Sequence, residues 1–278
     1  MSTTVLLAVL GAALLHASWN VVVKAGVSKV GGIAMMTVVQ GIAGGVVILA
    51  SPWPAAAVWP WLVASGVFHA GYKLFLAFAY EHGDLSRVYP IARGAAPMIV
   101  LLVGPLILTD ALSPQEVLGI VVLGCGIATM AAGALRAREA RRLIPYALGS
   151  AAMTAGYTIV DGSGARVAAS AAQYVGWLFF LDMLIFTPLM VALRGRAIFP
   201  GTLRAWAPGA LAALLSYLAY AVAVWAMTEA PIALVGALRE TSILFAVLLG
   251  WLLLGERVDR WKAIAAVLIV AGVALTRL

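Results

Sequence analysis

Charge is what this chain has least of: Asp, Glu, Lys and Arg make up 10% of its 278 residues, while 64% are apolar. A soluble domain draws about a quarter of its residues from the charged types, and a mean hydropathy of +1.06 excludes such a domain here. Cysteine is limited to Cys125, so neither an intrachain disulfide nor a CxxC metal or redox site can form. Three histidines, two in membrane-length runs and one in a loop, are too few and too scattered for a metal centre. HExxH, GxSxG and Walker-type lysine loops are all missing. No catalytic residue, metal site or organic cofactor is expected, and there is no room for the nucleotide-binding domain of a primary pump. Residues 5–15 look like a signal-peptide core ending at Leu15-His16-Ala17, but no basic residue precedes them, so retention is expected.

What fills the chain instead is ten apolar runs, at about 4–24, 31–51, 60–80, 87–108, 115–135, 144–165, 172–193, 203–227, 231–254 and 260–276. Each is near the ~20 residues that a helix needs to cross a hydrocarbon layer about 30 Å thick. The runs are continuous rather than alternating, which excludes a transmembrane barrel. The fold class is therefore all-α integral membrane, with ten transmembrane helices and short loops. Thirteen of the eighteen basic residues lie at loops that follow odd-numbered spans, including Arg136, Arg138, Arg141 and Arg142. The even side holds only Arg166 and Arg277. Basic residues stay in the cytoplasm during insertion, which puts both termini outside. The net charge of +7 is dispersed in this way, so it does not point to nucleic acid.

The halves resemble each other. Aligned without gaps, 93–128 and 239–274 match Arg93 with Arg239, Asp110 with Glu256 and Gly126 with Gly272. Upstream, Gly11-x7-Trp19 matches Gly149-x7-Tyr157. The expected organisation is a first five-helix repeat at 1–135, a basic linker at 136–143 and a second repeat at 144–278. Five is odd, so the second repeat is inverted relative to the first, the plan of secondary transporters.

Three segments carry a family resemblance: AALLHASWNVVVKAG in span 1, YPIARGAAP in span 4, and ALRETSILFAVLLGWLLLGER through span 9. On these the chain resembles the drug/metabolite transporter superfamily, specifically its ten-helix EamA-like branch. The resemblance implies two inverted five-helix repeats, a central cavity lined mainly by spans 1, 3, 4, 6, 8 and 9, and export of small metabolites. One departure is the uncharged Met1-Ser2-Thr3-Thr4, where the family usually has a basic, cytoplasmic N-terminus. The count of basic loops takes precedence in the orientation given above.

Ionisable groups inside a membrane are costly, so they face a cavity or a partner. His16, Trp19, Asn20 and Lys24 fall on one face of span 1 at helical spacing, read either as cavity lining or as interhelical bonding. His69, Tyr72, Lys73 and Tyr80 repeat the pattern on span 3. Lys73 is read either as a clamp for a substrate carboxylate or as half of an ion pair. Arg93, with Tyr89 one turn earlier and Pro97 and Pro105 interrupting the helix beyond, is read either with Arg239 as one of two opposite gates that anchor anionic groups, or as snorkelling from near the helix start. Three embedded acids, Asp161, Asp182 and Glu240, balance the embedded cations Lys73, Arg93 and Arg239. Glu240 is expected to pair with Lys73 or Arg93, and is the candidate for coupling to protons. Asp161 shares a face with Tyr157 and Thr154, while Asp182 is read as a structural partner. Tyr217, Tyr220 and Trp225 on span 8 are candidates for stacking on a planar or cationic substrate. Gly41 and Gly45 offer a close-packing face, and Trp53, Trp59, Trp61 and Trp206 are interfacial anchors.

The expected substrate-binding set is thus His16, Trp19, Asn20, Tyr72, Lys73, Tyr89, Arg93, Tyr157, Tyr217, Tyr220, Arg239 and Glu240. The expected function is secondary active transport, as an exporter of small polar or amphipathic metabolites such as amino acids. A non-transporting scaffold or accessory subunit is the alternative, and an intramembrane enzyme the least supported. The expected partners are a small-molecule substrate, the lipid bilayer and protons, and the expected location is a bacterial inner membrane. A monomer is the default, with a homodimer as the alternative.

Overall fold

The structure is a computed structural model that describes residues 1–24, 29–82, 85–135, 140–255 and 258–278. At 23–24, 29–30, 80–82, 85–92, 131–135, 140–143, 203 and 254 it describes the backbone alone. The helices are α1 (Thr3–Lys24), α2 (Lys29–Leu49), α3 (Trp59–His82), α4 (Leu85–Ile107), α5 (Pro114–Leu135), α6 (Ala140–Val167), α7 (Ala171–Arg194), α8 (Leu203–Glu229), α9 (Ile232–Arg239), α10 (Ser242–Leu254) and α11 (Arg260–Leu275). Among the described residues, six stretches are long and apolar enough to cross a bilayer: Thr3–Val22, Gly31–Leu49, Ala56–Ala79, Ala171–Arg194, Arg204–Glu229 and Ile232–Leu253. Of the other helices, α6 packs on α3 and α4, and α5 packs on α4 and α11.

Local chemistry accounts for several helix ends. Ser113 and Glu116 form a capping box at the start of α5: Ser113 Oγ accepts from the Glu116 N–H (3.2 Å), and Glu116 Oε2 accepts from the Ser113 N–H (2.9 Å). Ser170 caps α7, and Asp259 caps α11 by accepting from the Trp261 and Lys262 N–H groups. Gly255 ends α10 with φ 65°, the left-handed conformation that glycine adopts without steric cost.

Two sequence expectations change here. Residues 231–254 read as one uninterrupted span, but the helix breaks between Arg239 and Ser242. At the break the N–H groups of Glu240 and Thr241 bond to carbonyls only three residues back, Ala237 and Leu238. This tightened turn re-aims the side chains beyond it. Hydropathy cannot register such a break because the residues around it are apolar on both sides. Conversely, α4 runs on through Pro97 and Pro105 to Ile107, where an interruption was expected. Prolines are tolerated in membrane helices when neighbouring helices hold the bend, although Pro97 still supplies no N–H to the Arg93 carbonyl. In addition, α6 begins at Ala140, inside the segment read as linker.

Several packings recur when the helices of the two halves exchange places: α3 packs on α6 as α1 does on α8, and α2 on α8 as α3 does on α7, whereas α4 packs on α5 far more closely than α10 does on α11. Two seams join equivalent spans directly, α2 with α7 and α5 with α11. Both depend on glycine. A Cβ on Gly44 would lie 2.4 Å from the Gly176 carbonyl oxygen, and one on Gly119 would lie 2.7 Å from that of Gly272. Further along the second seam, a Cβ on Gly126 would lie 3.1 Å from the Ala265 carbonyl oxygen. Position 119 thus faces 272 and 126 faces 265, so α5 and α11 run antiparallel.

One face of the bundle gathers the even loops and both termini. Arg277 donates to the Met1 carbonyl (2.6 Å), and Gln173 donates to the Pro52 carbonyl (2.7 Å). Ends that meet require an even number of crossings. The periphery is apolar, with Leu7, Ile42, Val46, Leu102, Leu106 and Val267 all exposed, whereas Lys73, Arg93, Asp161, Asp182, Arg239 and Glu240 are buried. This inverts the arrangement of a soluble protein and suits a lipid solvent.

Candidate functional site

The buried charges find partners across helices. Lys73 on α3 is paired with Asp182 on α7, donates to Thr37 Oγ1 on α2 (2.8 Å), and lies 5.4 Å from the centre of the Phe186 ring. Arg93 on α4 is paired with Glu240: Nε donates to Oε2 (2.9 Å), and Nη2 lies 2.8 Å from Oε1 as an ion-pair contact. The two side chains are 2% and 3% exposed, so this two-point pair is desolvated and directional. Asp161 on α6 is met by His69 on α3 (2.9 Å), by the Tyr174 hydroxyl on α7 (3.1 Å) and by the Tyr220 hydroxyl on α8. Arg239 differs. It is 7% exposed and sits over the Tyr220 ring at 5.0 Å, but no carboxylate lies within ion-pairing distance among the described residues.

Between the halves lies a cavity of about 70 Å³, room for about five waters at 10–15 Å³ each. His16 and Trp19 reach it from α1, Thr37 and Gln40 from α2, His69, Tyr72 and Lys73 from α3, and Arg93 from α4. The second half contributes Tyr157 from α6, Phe179 from α7, Ser216 and Tyr220 from α8, and Arg239 from α9. One wall is aromatic: His69 stacks on Tyr157 with centroids 4.2 Å apart, and Tyr220 and Phe179 close the cluster. A niche of about 10 Å³ between Ala12, Ala13, His16, Ala219, Tyr220 and Arg239 adjoins the cavity, whose wall includes the same His16, Tyr220 and Arg239.

Of the expected binding set, the structure brings His16, Trp19, Tyr72, Lys73, Arg93, Tyr157, Tyr220 and Arg239 to this cavity. Asn20 turns back to donate to the His16 carbonyl (2.8 Å), Tyr217 packs against Phe179, and Glu240 is occupied by Arg93. The side chain of Tyr89 lies outside the described residues, as do those of Lys24 and Tyr80. Arg93 and Arg239 were assigned to opposite gates, but they line one cavity and are linked through Glu240, the residue next to Arg239. Repeat-related positions near the middle of the bundle converge rather than separate. Lys73 and Asp182 form the ion pair that was one of the two readings of Lys73.

Thr37 and Gln40 were missed, and the signal was available: two polar residues three apart inside an otherwise apolar span share a face. A second missed group lies at the even-loop face. Arg166 donates to both oxygens of Asp110 (2.6 and 3.1 Å) and to the Met227 and Ala230 carbonyls (2.8 and 3.0 Å). Asp110 also accepts from the Ile232 N–H (2.8 Å). This clasp ties the ends of α4, α6 and α8 to the start of α9. Residues 56 apart in sequence gave no local sign of it.

A model of the EamA-like transporter family matches this chain over residues 3–132 and 141–278. No curated protein matches it. Among solved structures, one titled only "Crystal structure of protein" superposes with a TM-score of 0.75 at 20% identity, covering 100% of this chain and 99% of the other. That likeness shows a shared fold.

Proposed function

Since the chain belongs to the EamA-like transporter family and is a multi-pass membrane protein, we propose that it is a secondary active transporter exporting small polar or amphipathic metabolites such as amino acids. The carrying observation is the cavity itself, which brings Lys73, Arg93 and Arg239 to walls drawn from both halves. Sites at the interface of two repeats suit alternating access, because each half can rock against the other around fixed contents. We also read the halves as inverted repeats. The packings that recur between the halves support this, as does the antiparallel crossing of α5 and α11 at matched positions.

The cavity leans toward the odd-loop side, where Ile33 and Leu76 lie near the ends of α2 and α3. On the opposite side the Arg166–Asp110 clasp holds α4, α6, α8 and α9 together. Export to that side requires the clasp to release. In the same reading the odd loops face the cytoplasm of a bacterial inner membrane and the termini face outward. Proton coupling would run through Glu240: a protonated carboxyl no longer holds Arg93 at two points, which frees α4 from the broken helix α9–α10.

Uptake of radiolabelled amino acids and organic cations into proteoliposomes, with and without a pH gradient, tests the reading. Flux above protein-free vesicles is the expected result. No flux for any compound in either gradient would favour an accessory subunit and overturn it.

A further inference from the structure

We propose that the niche bounded by Ala12, Ala13, His16, Ala219, Tyr220 and Arg239 is a carboxylate-binding subsite, so that the transported solute carries an anionic group and enters this end first. The inference deepens the transporter reading and rests on it.

The charges in the bundle core single out Arg239. Lys73 is matched by Asp182 and Arg93 by Glu240, while Asp161 is held by His69, Tyr174 and Tyr220. Arg239 has an aromatic face beneath it and, among the described residues, no carboxylate within ion-pairing distance, although a buried guanidinium needs a close counter-charge. Its planar fork of N–H donors matches the two oxygens of a carboxylate.

A second unpartnered donor belongs to a residue that walls the same space. Trp19 Nε1 donates to His16 Nδ1 (3.2 Å), so Nδ1 is the acceptor and the neutral ring carries its proton on Nε2. That Nε2 is shielded and has no hydrogen-bond partner. His16 and Arg239 are both walls of the niche and of the main cavity, so an anion held between them leaves its remaining atoms in the larger space. There Gln40 and Ser216 line the cavity without side-chain hydrogen bonds among the described residues. The three alanines leave the niche the size of one water or one carboxylate oxygen, about 10 Å³. A methyl ester or a bulkier head group is excluded by size, and a carboxamide by the lack of charge.

Thermal stabilisation of the purified full-length chain in detergent is the test, using paired probes at millimolar concentration: leucine with leucinamide, threonine with threoninamide, and 3-phenylpropionate with its amide. At least one carboxylate should bind on the order of 10- to 100-fold more tightly than its amide. Arg239→Gln should erase that difference, and Arg239→Lys should restore part of it. Ala219→Leu overfills the niche without touching a charge, and should remove the difference between carboxylates and amides, read as the ligand-induced shift from the variant's own melting temperature. Equal binding of acids and amides, no binding of any carboxylate, or discrimination that survives Ala219→Leu overturns the subsite. Transport of cations or neutral solutes that is insensitive to Arg239→Gln would sink the subsite but leave the transporter reading standing. Carboxylate binding without flux would do the reverse.

Discussion

The Arg93–Glu240 pair makes an asymmetric prediction. Both side chains are almost fully buried, and a charge-assisted hydrogen bond of 2.9 Å and an ion-pair contact of 2.8 Å join them. Removing one member of such a pair generally costs about 3–5 kcal/mol, because the other charge stays buried and unmatched. The two deletions are not equivalent here. Arg93→Gln leaves Glu240 beside Arg239, whose charge also acts on it, so part of the compensation survives. Glu240→Gln leaves two arginines in one dry region with no carboxylate between them. The expected cost is ~3–5 kcal/mol for Glu240→Gln and ~1–3 kcal/mol for Arg93→Gln. In the double variant the two amides can bond to each other, so it should be less destabilised than the sum of the singles by about 2 kcal/mol. Equilibrium unfolding in mixed micelles with rising dodecyl sulfate, followed by the fluorescence of the nine tryptophans, measures all four corners of the cycle. If Arg93→Gln costs as much as Glu240→Gln, Arg239 does not share the carboxylate. If the singles add to the double within about 0.5 kcal/mol, the pair does not act as a unit and the reasoning fails.

Gly272→Val should prevent the α5–α11 seam from closing, since its Cβ would lie 2.7 Å from both the Gly119 carbonyl oxygen and the Leu123 amide nitrogen. Gly11→Ala, with nothing within 4 Å of the added carbon, is the matched control, and size-exclusion profiles after purification compare the two. Asp110→Asn removes the charge that Arg166 grips and should loosen the even-loop face. In a Cys125→Ala background, Ala233→Cys beneath that clasp should react several-fold faster with a membrane-impermeant maleimide once Asp110 is changed, and an unchanged rate would show that the clasp does not seal this side. Lys73→Leu strands the fully buried Asp182 and should destabilise the chain by ~3–5 kcal/mol, with Lys73→Leu combined with Asp182→Leu recovering much of the loss in the same micelle assay.

The all-helical, multi-pass character of the chain was legible in the sequence because insertion is a local matter. About 20 consecutive residues set the transfer free energy of a segment, whichever neighbours it later meets. The balance of embedded charges was legible for a related reason: unmatched charges in lipid are costly, so three cations opposite three acids implied pairing before any contact was known. Which charge meets which was decided only by the tertiary structure. Lys73 lies 109 residues from Asp182 and Arg93 lies 147 from Glu240, and no periodicity spans such distances. Pairing depends on which helix faces meet, and that is set by seams such as Gly44 on Gly176, where one added carbon would move a whole helix. The break at Glu240, the Asp110–Arg166 clasp and the exception of Arg239 have the same origin. Each depends on the relative depth and rotation of packed helices, quantities that hydropathy summed along one chain does not contain.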